Sequence, residues 1–382
     1  MDIKRVFEFV KKLFFPKLNV IELPWRVILA ITYRCNSRCK ICYTWKVYRE
    51  NPELAKEEMR LEHLKKLFSE LGSSILWLHI TGGEPFLRDD LAKVIELAGT
   101  NCRNLLGIEI PTNGLIPAIV KKRVEEVLHV LKGKVFLNIG ISFNGPKQIH
   151  EYIRGVKSSW DRAVRTLKEL KELQHSYKNL YVFVIYTIST ENVGVLQEFY
   201  EELLRNGISI APSEILIDIE HSGVLYHKSD RIEYRKIRQL IVKDLSWILQ
   251  RYLNERPKNL LMQVYNMFRT VYTYYIIDFI DNPKKVIMPC EALRSTLFID
   301  PYGNVYPCII WNVTLGNVKN KSLKEILQSN IAISVRKAIR DGKCPNCWTG
   351  CEAVPTLITH PFHTLTKYTH LVLNFSTFGG KA

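Results

Sequence analysis

Three cysteines, Cys35, Cys39 and Cys42, fall within eight residues of the stretch ITYRCNSRCKICYTW. A four-iron cluster has four iron corners, each normally held by a thiolate, so three thiolates leave one iron open to a small molecule. The alternative is a structural zinc site, which needs a fourth ligand close by, and no further His or Cys occurs between Asn36 and Glu62. Five more cysteines gather towards the other end: Cys290, Cys308 at the end of FIDPYGNVYPC, and Cys344, Cys347 and Cys351 in CPNCWTGC. Two complete cubanes there would take about eight thiolates, so five allow one cluster, or else a four-cysteine zinc ribbon. Cys102 has no cysteine neighbour in sequence and reads as structural or incidental.

Holding such sets in place takes a rigid scaffold. Between Arg26 and about Ile215 the runs RVILAIT, ILWLHIT, LLGIEIP, VFLNIGIS, LYVFVIYTIS and ISIAPSEI read as strands. RLEHLKKLFSEL, DLAKVIELA, VKKRVEEVLHVL, SWDRAVRTLKELKEL and VGVLQEFYEELLRN read as amphipathic helices between them. That alternation predicts parallel strands joined by right-handed crossovers. The fold class expected is α/β, a partial (βα)6 TIM-type barrel with its functional loops at the strand C-terminal ends, where the first cysteine set would lie. The expected organisation is an N-terminal helix and lead-in over 1–25, the barrel over 26–215, and an aromatic-rich helical insert over 216–285. A small cysteine-bearing region follows over 286–355, with a hairpin turning at Tyr302-Gly303-Asn304, and then a tail over 356–382.

A chain of 382 residues with 47% apolar content can bury a large core, which excludes global disorder. Residues 1–15 carry a charge every few positions and no small-residue cleavage site follows, so the cysteines are expected as thiolates in the cytoplasm. The net charge is +16, with eleven basic against four acidic residues in positions 1–50. Such a bias favours nucleic acid or an anionic membrane surface as partner, though a basic chain can also bind neither. Ile3, Val6, Phe7, Val10, Leu13 and Phe14 share one helical face, with Lys4, Arg5, Lys11 and Lys12 on the other. This helix would either lie peripherally on the inner face of the cell membrane or dock on the protein itself. The stretch from Leu260 to Ile280 is broken by Gln263, Asn266, Arg269 and Asp278, and reads as a buried or substrate-covering helix, not a span.

The triplet CxxxCxxC after a first barrel strand resembles the signature of the radical S-adenosylmethionine (radical SAM) superfamily. The resemblance implies a [4Fe–4S] cluster on Cys35, Cys39 and Cys42, with S-adenosylmethionine on the open iron. Reductive cleavage of that cofactor then yields a 5′-deoxyadenosyl radical that abstracts hydrogen from an unactivated C–H bond. HITGGEPFLRDD resembles the family's segment for the methionyl amino group, implying contacts from Gly82, Gly83, Glu84 and Pro85. The glycines would let the backbone approach the ligand, and Glu84 would balance its positive charge. PTNGL resembles the strand end near the ribose, implying Thr112 and Asn113. ISFNGPKQIHEYIRG resembles a segment near the cofactor's polar end, implying Ser142 and Arg154. The chain departs from the family at Asn144, where Asp is usual, and at Ile41, where an aromatic is common.

The second cysteine set resembles the SPASM or shorter twitch extension, implying one auxiliary [4Fe–4S] cluster held by four of Cys290, Cys308, Cys344, Cys347 and Cys351. The resemblance also implies a one-electron donor such as ferredoxin or flavodoxin, and no nucleic-acid partner is expected. Three main substrate classes remain, beside small molecules such as tetrapyrroles or sugars. The basic N-terminus and aromatic insert favour a membrane lipid or lipid-linked substrate, for example with alkyl chains joined carbon to carbon as in archaeal tetraethers. The commonest assignment of this architecture is a peptide or protein maturase making thioether or C–C crosslinks, although 25 residues before the first strand are few for a leader-binding module. RNA modification is invited by charge alone.

Overall fold

The computed structural model describes residues 23–230, 232–256 and 260–374, so the amphipathic helix expected over 1–15 lies outside the described residues. Among the described residues the strands form one sheet in the order β6-β5-β4-β3-β2-β1-β7-β8-β9. Strands β1 (Arg26–Thr32), β2 (Trp77–Gly82), β3 (Gly107–Thr112), β4 (Phe136–Phe143), β5 (Leu180–Ile188) and β6 (Ile215–Ile219) are consecutive parallel neighbours. The crossovers carry helices α1 (Leu61–Leu71), α2 (Leu91–Asn101), α3 (Pro117–Leu131), α4 (Lys147–Arg154), α5 (Ser159–Ser176) and α6 (Leu196–Arg205). Alternate strand residues such as Val27, Leu29, Leu78, Ile80, Ile108 and Ile110 are fully buried against these helices in one large core. The sheet does not close on itself, as expected of a partial barrel.

The sixth strand corrects the sequence reading, which placed it at ISIAPSEI. Pro212 cannot donate to a ladder, and Pro212–Glu214 form a tight turn in which the Glu214 carboxylate accepts from the Ala211 N–H at 2.9 Å. The strand starts at Ile215, where that segment ended, and the barrel runs on to Ile219.

Two long helices, α7 (Arg238–Asn254) and α8 (Leu260–Asp281), occupy the expected insert. Val271, Tyr272, Ile276 and Ile280 of α8 are fully buried, and no described helix is long and apolar enough to cross a membrane. The hairpin forms from β7 (Thr296–Ile299) and β8 (Asn304–Tyr306), with Gly303 at φ +88° in its turn, and β9 (Gly316–Asn317) pairs with β8. The sequence did not foresee that β7 lies parallel to β1, from Arg26↔Thr296 to Leu29↔Ile299, which joins the cysteine-bearing region to the barrel sheet. Helices α9 (Leu323–Gln328), α10 (Asn330–Arg340) and α11 (Gly350–Thr359) follow. The expected tail contains a further helix, α12 (Pro361–Leu373), seated on α8 and α11; residues 375–382 lie outside the described residues.

Candidate active site

The loop after β1 carries Cys35, Cys39 and Cys42, with Cys39 buried and the other two half-buried. Ser37 Oγ lies 3.1 Å from Cys39 Sγ and Thr44 Oγ1 lies 3.2 Å from Cys42 Sγ. Asn113 Nδ2 stands 3.9 Å from Cys35 Sγ and donates to Asn36 Oδ1 at 2.7 Å. The Arg154 guanidinium donates to Cys39 Sγ at 3.6 Å and to the Ser142 carbonyl at 2.8 Å, so Ser142 serves through its backbone. Helix α4 also grips the loop directly, because the N–H groups of Arg38 and Lys40 donate to the carbonyls of Arg154 and Ile153. Burial, then the neighbouring Cys39, push the Cys35 thiol well up and the Cys42 thiol up. Crowded, buried thiolates of this kind are disfavoured alone and favoured around a cationic centre, a donor set that fits iron.

Gly82 and Gly83 answer to the protein's own backbone. Their N–H and carbonyl groups pass so close to the Cys35 loop that a Cβ on Gly82 would stand 2.1 Å from the Thr32 carbonyl oxygen. One on Gly83 would stand 2.2 Å from that of Arg34. The approach lets Gly83 N–H and Glu84 N–H donate to the Thr32 and Arg34 carbonyls at 2.8 and 2.7 Å. Pro85 starts the tight turn Pro85–Leu87. The Glu84 carboxylate is fully buried and accepts from Phe86 N–H (3.2 Å), Thr112 Oγ1 (2.9 Å) and Asn113 N–H (2.7 Å). It thus ties the β2 loop to the β3 end and leaves roughly one of its four lone-pair positions for a ligand. Burial outweighs these donors and pushes it up to about 7.

The inner face of the sheet carries charge that sequence reasoning passed over. His79 and Glu109 are in register on β2 and β3, with His79 Nδ1 3.3 Å from Glu109 Oε1. Burial alone would raise Glu109, but His79 and then Arg26 hold it down to about 2. Asp218 on β6 accepts from Tyr272 Oη at 2.8 Å, and the Arg26 guanidinium donates to the Cys351 carbonyl. Helix α8 and the start of α11 therefore bridge the open side between β1 and β6. A signal was present: Arg26, His79, Glu109 and Asp218 interrupt parallel strands that otherwise read as continuous apolar runs.

The second set separates into four and one. Cys290, Cys308, Cys344 and Cys347 line one cavity of about 50 Å³, together with Met288, Trp311, Trp348 and Glu352. Cys351 instead packs against the group of Ile28, Ala30 and Tyr33 on the inner side of β1. Burial pushes Cys290 up to about 12, and Cys308 and Cys347 well up. Four thiols lining one cavity fit an iron–sulfur cluster. Glu352, 3% exposed, shares the cavity, and burial pushes it up to about 7 against the pull of Arg26. Among the described residues no three His, Cys, Asp or Glu side chains are close enough to hold a single metal ion. Cys102 is buried with its thiol 3.6 Å from the Phe68 carbonyl, the structural role expected.

Comparison with known proteins agrees with this geometry. Residues 29–222 match the model of the radical SAM superfamily, and residues 290–351 match that of SPASM, an iron–sulfur cluster-binding domain. The antilisterial bacteriocin subtilosin biosynthesis protein AlbA of Bacillus subtilis is 22% identical over 81% of this chain, which spans 61% of AlbA. The PqqA peptide cyclase of Bradyrhizobium diazoefficiens is 22% identical over 73% of this chain and 69% of its own length. The solved structure of anSMEcpe with bound AdoMet and Cp18Cys peptide shares the fold at a TM-score of 0.55 and 16% identity, covering 92% of this chain and 99% of that one. With half of its length matched by the first of these models and its C-terminal cysteines by the second, the chain belongs to the radical SAM superfamily of enzymes, whose cofactors are [4Fe–4S] clusters and S-adenosylmethionine.

Proposed function

We propose that this protein is a peptide or protein maturase that functionalises an unactivated C–H bond, forming a thioether or carbon–carbon crosslink. In this reading Cys35, Cys39 and Cys42 hold the cofactor-binding cluster, and Cys290, Cys308, Cys344 and Cys347 hold the auxiliary one. The bound cluster and S-adenosylmethionine together supply the 5′-deoxyadenosyl radical that takes the hydrogen atom. The protein's own groups orient and enclose: Arg154 and Ser37 steady Cys39, Asn113 steadies Cys35, and Glu84 offers a buried negative charge to the cofactor's ammonium.

The observation that carries the substrate class is the ionic inner face. Arg26, His79, Glu109 and Asp218 suit amide and charged side-chain groups, whereas an alkyl chain gains nothing from replacing water beside them. The names of two similar proteins, a peptide cyclase and a structure with a bound peptide, support the same class. The membrane-lipid reading drew on residues 1–15, which lie outside the described residues, and on the aromatic insert, whose Val271, Tyr272, Ile276 and Ile280 are buried in the protein's own core; the peptide reading replaces it. The test compares peptides from cells with and without the gene by mass spectrometry. A peptide two hydrogen atoms lighter in the presence of the gene supports the proposal. A lipid changed in that way, with all peptides unchanged, refutes it.

A further inference from the structure

Between Arg34 and Arg49 the chain carries five cations and no Asp or Glu. Several exposed cations elsewhere are matched, as Lys147 is by Asp161, Arg165 by Glu169 and Arg238 by Asp281. Among the described residues none of Arg34, Arg38, Lys40, Lys46 and Arg49 has a carboxylate partner. The Lys40 and Lys46 ammonium groups lie over aromatic rings instead, 3.3 Å from the centroid of Tyr152 and 4.1 Å from that of Tyr43. Arg34, Arg38, Lys40 and Arg49 are exposed.

These cations surround a route to the cluster loop. Arg34, Arg38 and Arg49 line a cavity of about 380 Å³ whose wall also holds Trp45 and Cys35. The half-buried Trp45 indole donates from Nε1 to the Cys39 carbonyl at 3.2 Å. Both a thiol and a backbone link to a second expected ligand are thus reached from one face. Concentrating unpaired like charge destabilises a fold unless something of opposite sign visits it.

Two kinds of visitor would be attracted, and the geometry separates them. A substrate must reach the inner face of the barrel, but the cavity wall contains none of Glu109, Ser142 or Asp218. A reductant need only come close to the cysteine loop, since electron transfer falls steeply with distance. We propose that the face formed by Arg34, Arg38, Lys40, Lys46 and Arg49 around Trp45 is the docking surface for an acidic, one-electron carrier protein. The inference rests on the radical SAM reading, in which each cofactor cleavage takes one electron from outside the chain. The reduced carrier gives that electron to the cluster on Cys35, Cys39 and Cys42 and leaves oxidised by one electron. Complementary charge of this kind acts mainly on encounter rate and weakens with salt.

The experiment uses the anaerobically reconstituted holoenzyme and reduced flavodoxin as the acidic carrier. The variants are R38E/R49E, the charge-conserving R38K/R49K, and R103E/K178E, which makes the same charge change on connections at the opposite ends of the strands. Flavodoxin Kd, carrier-driven 5′-deoxyadenosine formation and dithionite-driven formation are each measured. R38E/R49E should raise Kd and lower the carrier-driven rate by about tenfold or more at low salt. R38K/R49K and R103E/K178E should stay near wild type, and each carrier-driven rate is taken relative to the iron content and dithionite-driven rate of the same variant. An unchanged Kd in R38E/R49E, or an equal loss in R103E/K178E, overturns the proposal. So does an R38E/R49E variant that keeps flavodoxin but loses poly-glutamate, which would make the rim a peptide site. Wild type that makes no 5′-deoxyadenosine with dithionite refutes the radical SAM reading instead, and the Kd comparison still reads the surface.

Discussion

Replacing Glu84 by Gln isolates the energetic cost of placing a carboxylate where the cofactor's ammonium is expected. Glu84 is fully buried, so solvent does not screen it, and burial pushes it from 4.5 to about 7. A rise of that size corresponds to about 3 kcal/mol. The folded protein holds this proton more tightly than the unfolded chain does. The stability it contributes is therefore fully present below pH 4.5 and is lost as pH rises through about 7. Gln is neutral like the protonated acid, with one acceptor oxygen and an NH2 donor group, and cannot ionise. Urea denaturation of the reduced, metal-free protein should find wild type and Glu84→Gln nearly equal at pH 4.5. At pH 8 the variant should be more stable by about 3 kcal/mol. Asp244 and Glu352, pushed up to about 6 and about 7, shift both proteins alike and cancel in the comparison. A difference below about 1 kcal/mol at pH 8 would mean that Thr112, Asn113 and Phe86 already hold the carboxylate ionised, and the reasoning fails. In the holoenzyme the order should reverse. A cation against the carboxylate is worth roughly 1.5–3 kcal/mol, so Glu84→Gln should weaken S-adenosylmethionine binding about ten- to a hundredfold.

Reconstituted protein should hold about eight irons per chain, and about four when Cys35, Cys39 and Cys42 are all changed to Ala, with 5′-deoxyadenosine release abolished. Cys351→Ser should keep all eight by iron assay, whereas Cys344→Ala should leave about four intact at the first site; loss of a cluster in Cys351→Ser would contradict the separation into four and one. Gly83→Ala, with its Cβ driven against the Arg34 carbonyl, should destabilise the protein by about 1–3 kcal/mol in denaturation and release iron from the first site ahead of the second. Arg154→Gln removes the guanidinium from Cys39 and should shorten the lifetime of the first cluster under chelator, measured from its visible absorbance, with the second unaffected.

Much of this was legible because the relevant signals are local. The cysteine spacing, GGEP and the strand–helix alternation each occupy a few consecutive residues, and β1 to β5 stand where their apolar runs placed them. The sixth strand slipped because ISIAPSEI has strand composition but holds Pro212, while the true strand ILIDI is cut short in appearance by Asp218. What stayed hidden depends on contacts between distant segments. Nothing near Glu84 announces that Thr112 and Asn113 will bind its carboxylate. Nothing in CPNCWTGC tells that the third cysteine turns to β1 while the first two face Cys290 and Cys308. The glycines of GGEP were readable as a close approach, and the Thr32–Arg34 backbone is one that they meet.

The pairing of β7 with β1 changes what can be removed from this protein. A barrel ending near residue 285 would keep every segment of the first cysteine site, yet it would bare the backbone donors and acceptors of β1 from Arg26 to Leu29. That strand is apolar on both faces at Ile28 and Leu29, and Arg26 at its start is the one charge it has to keep an open sheet margin from recruiting another chain. The same four residue pairs bind the segment leading to Cys308 and the strand leading to Cys35 side by side. The spacing between the two cysteine sites is therefore set by strand register, with no hinge between them to vary it.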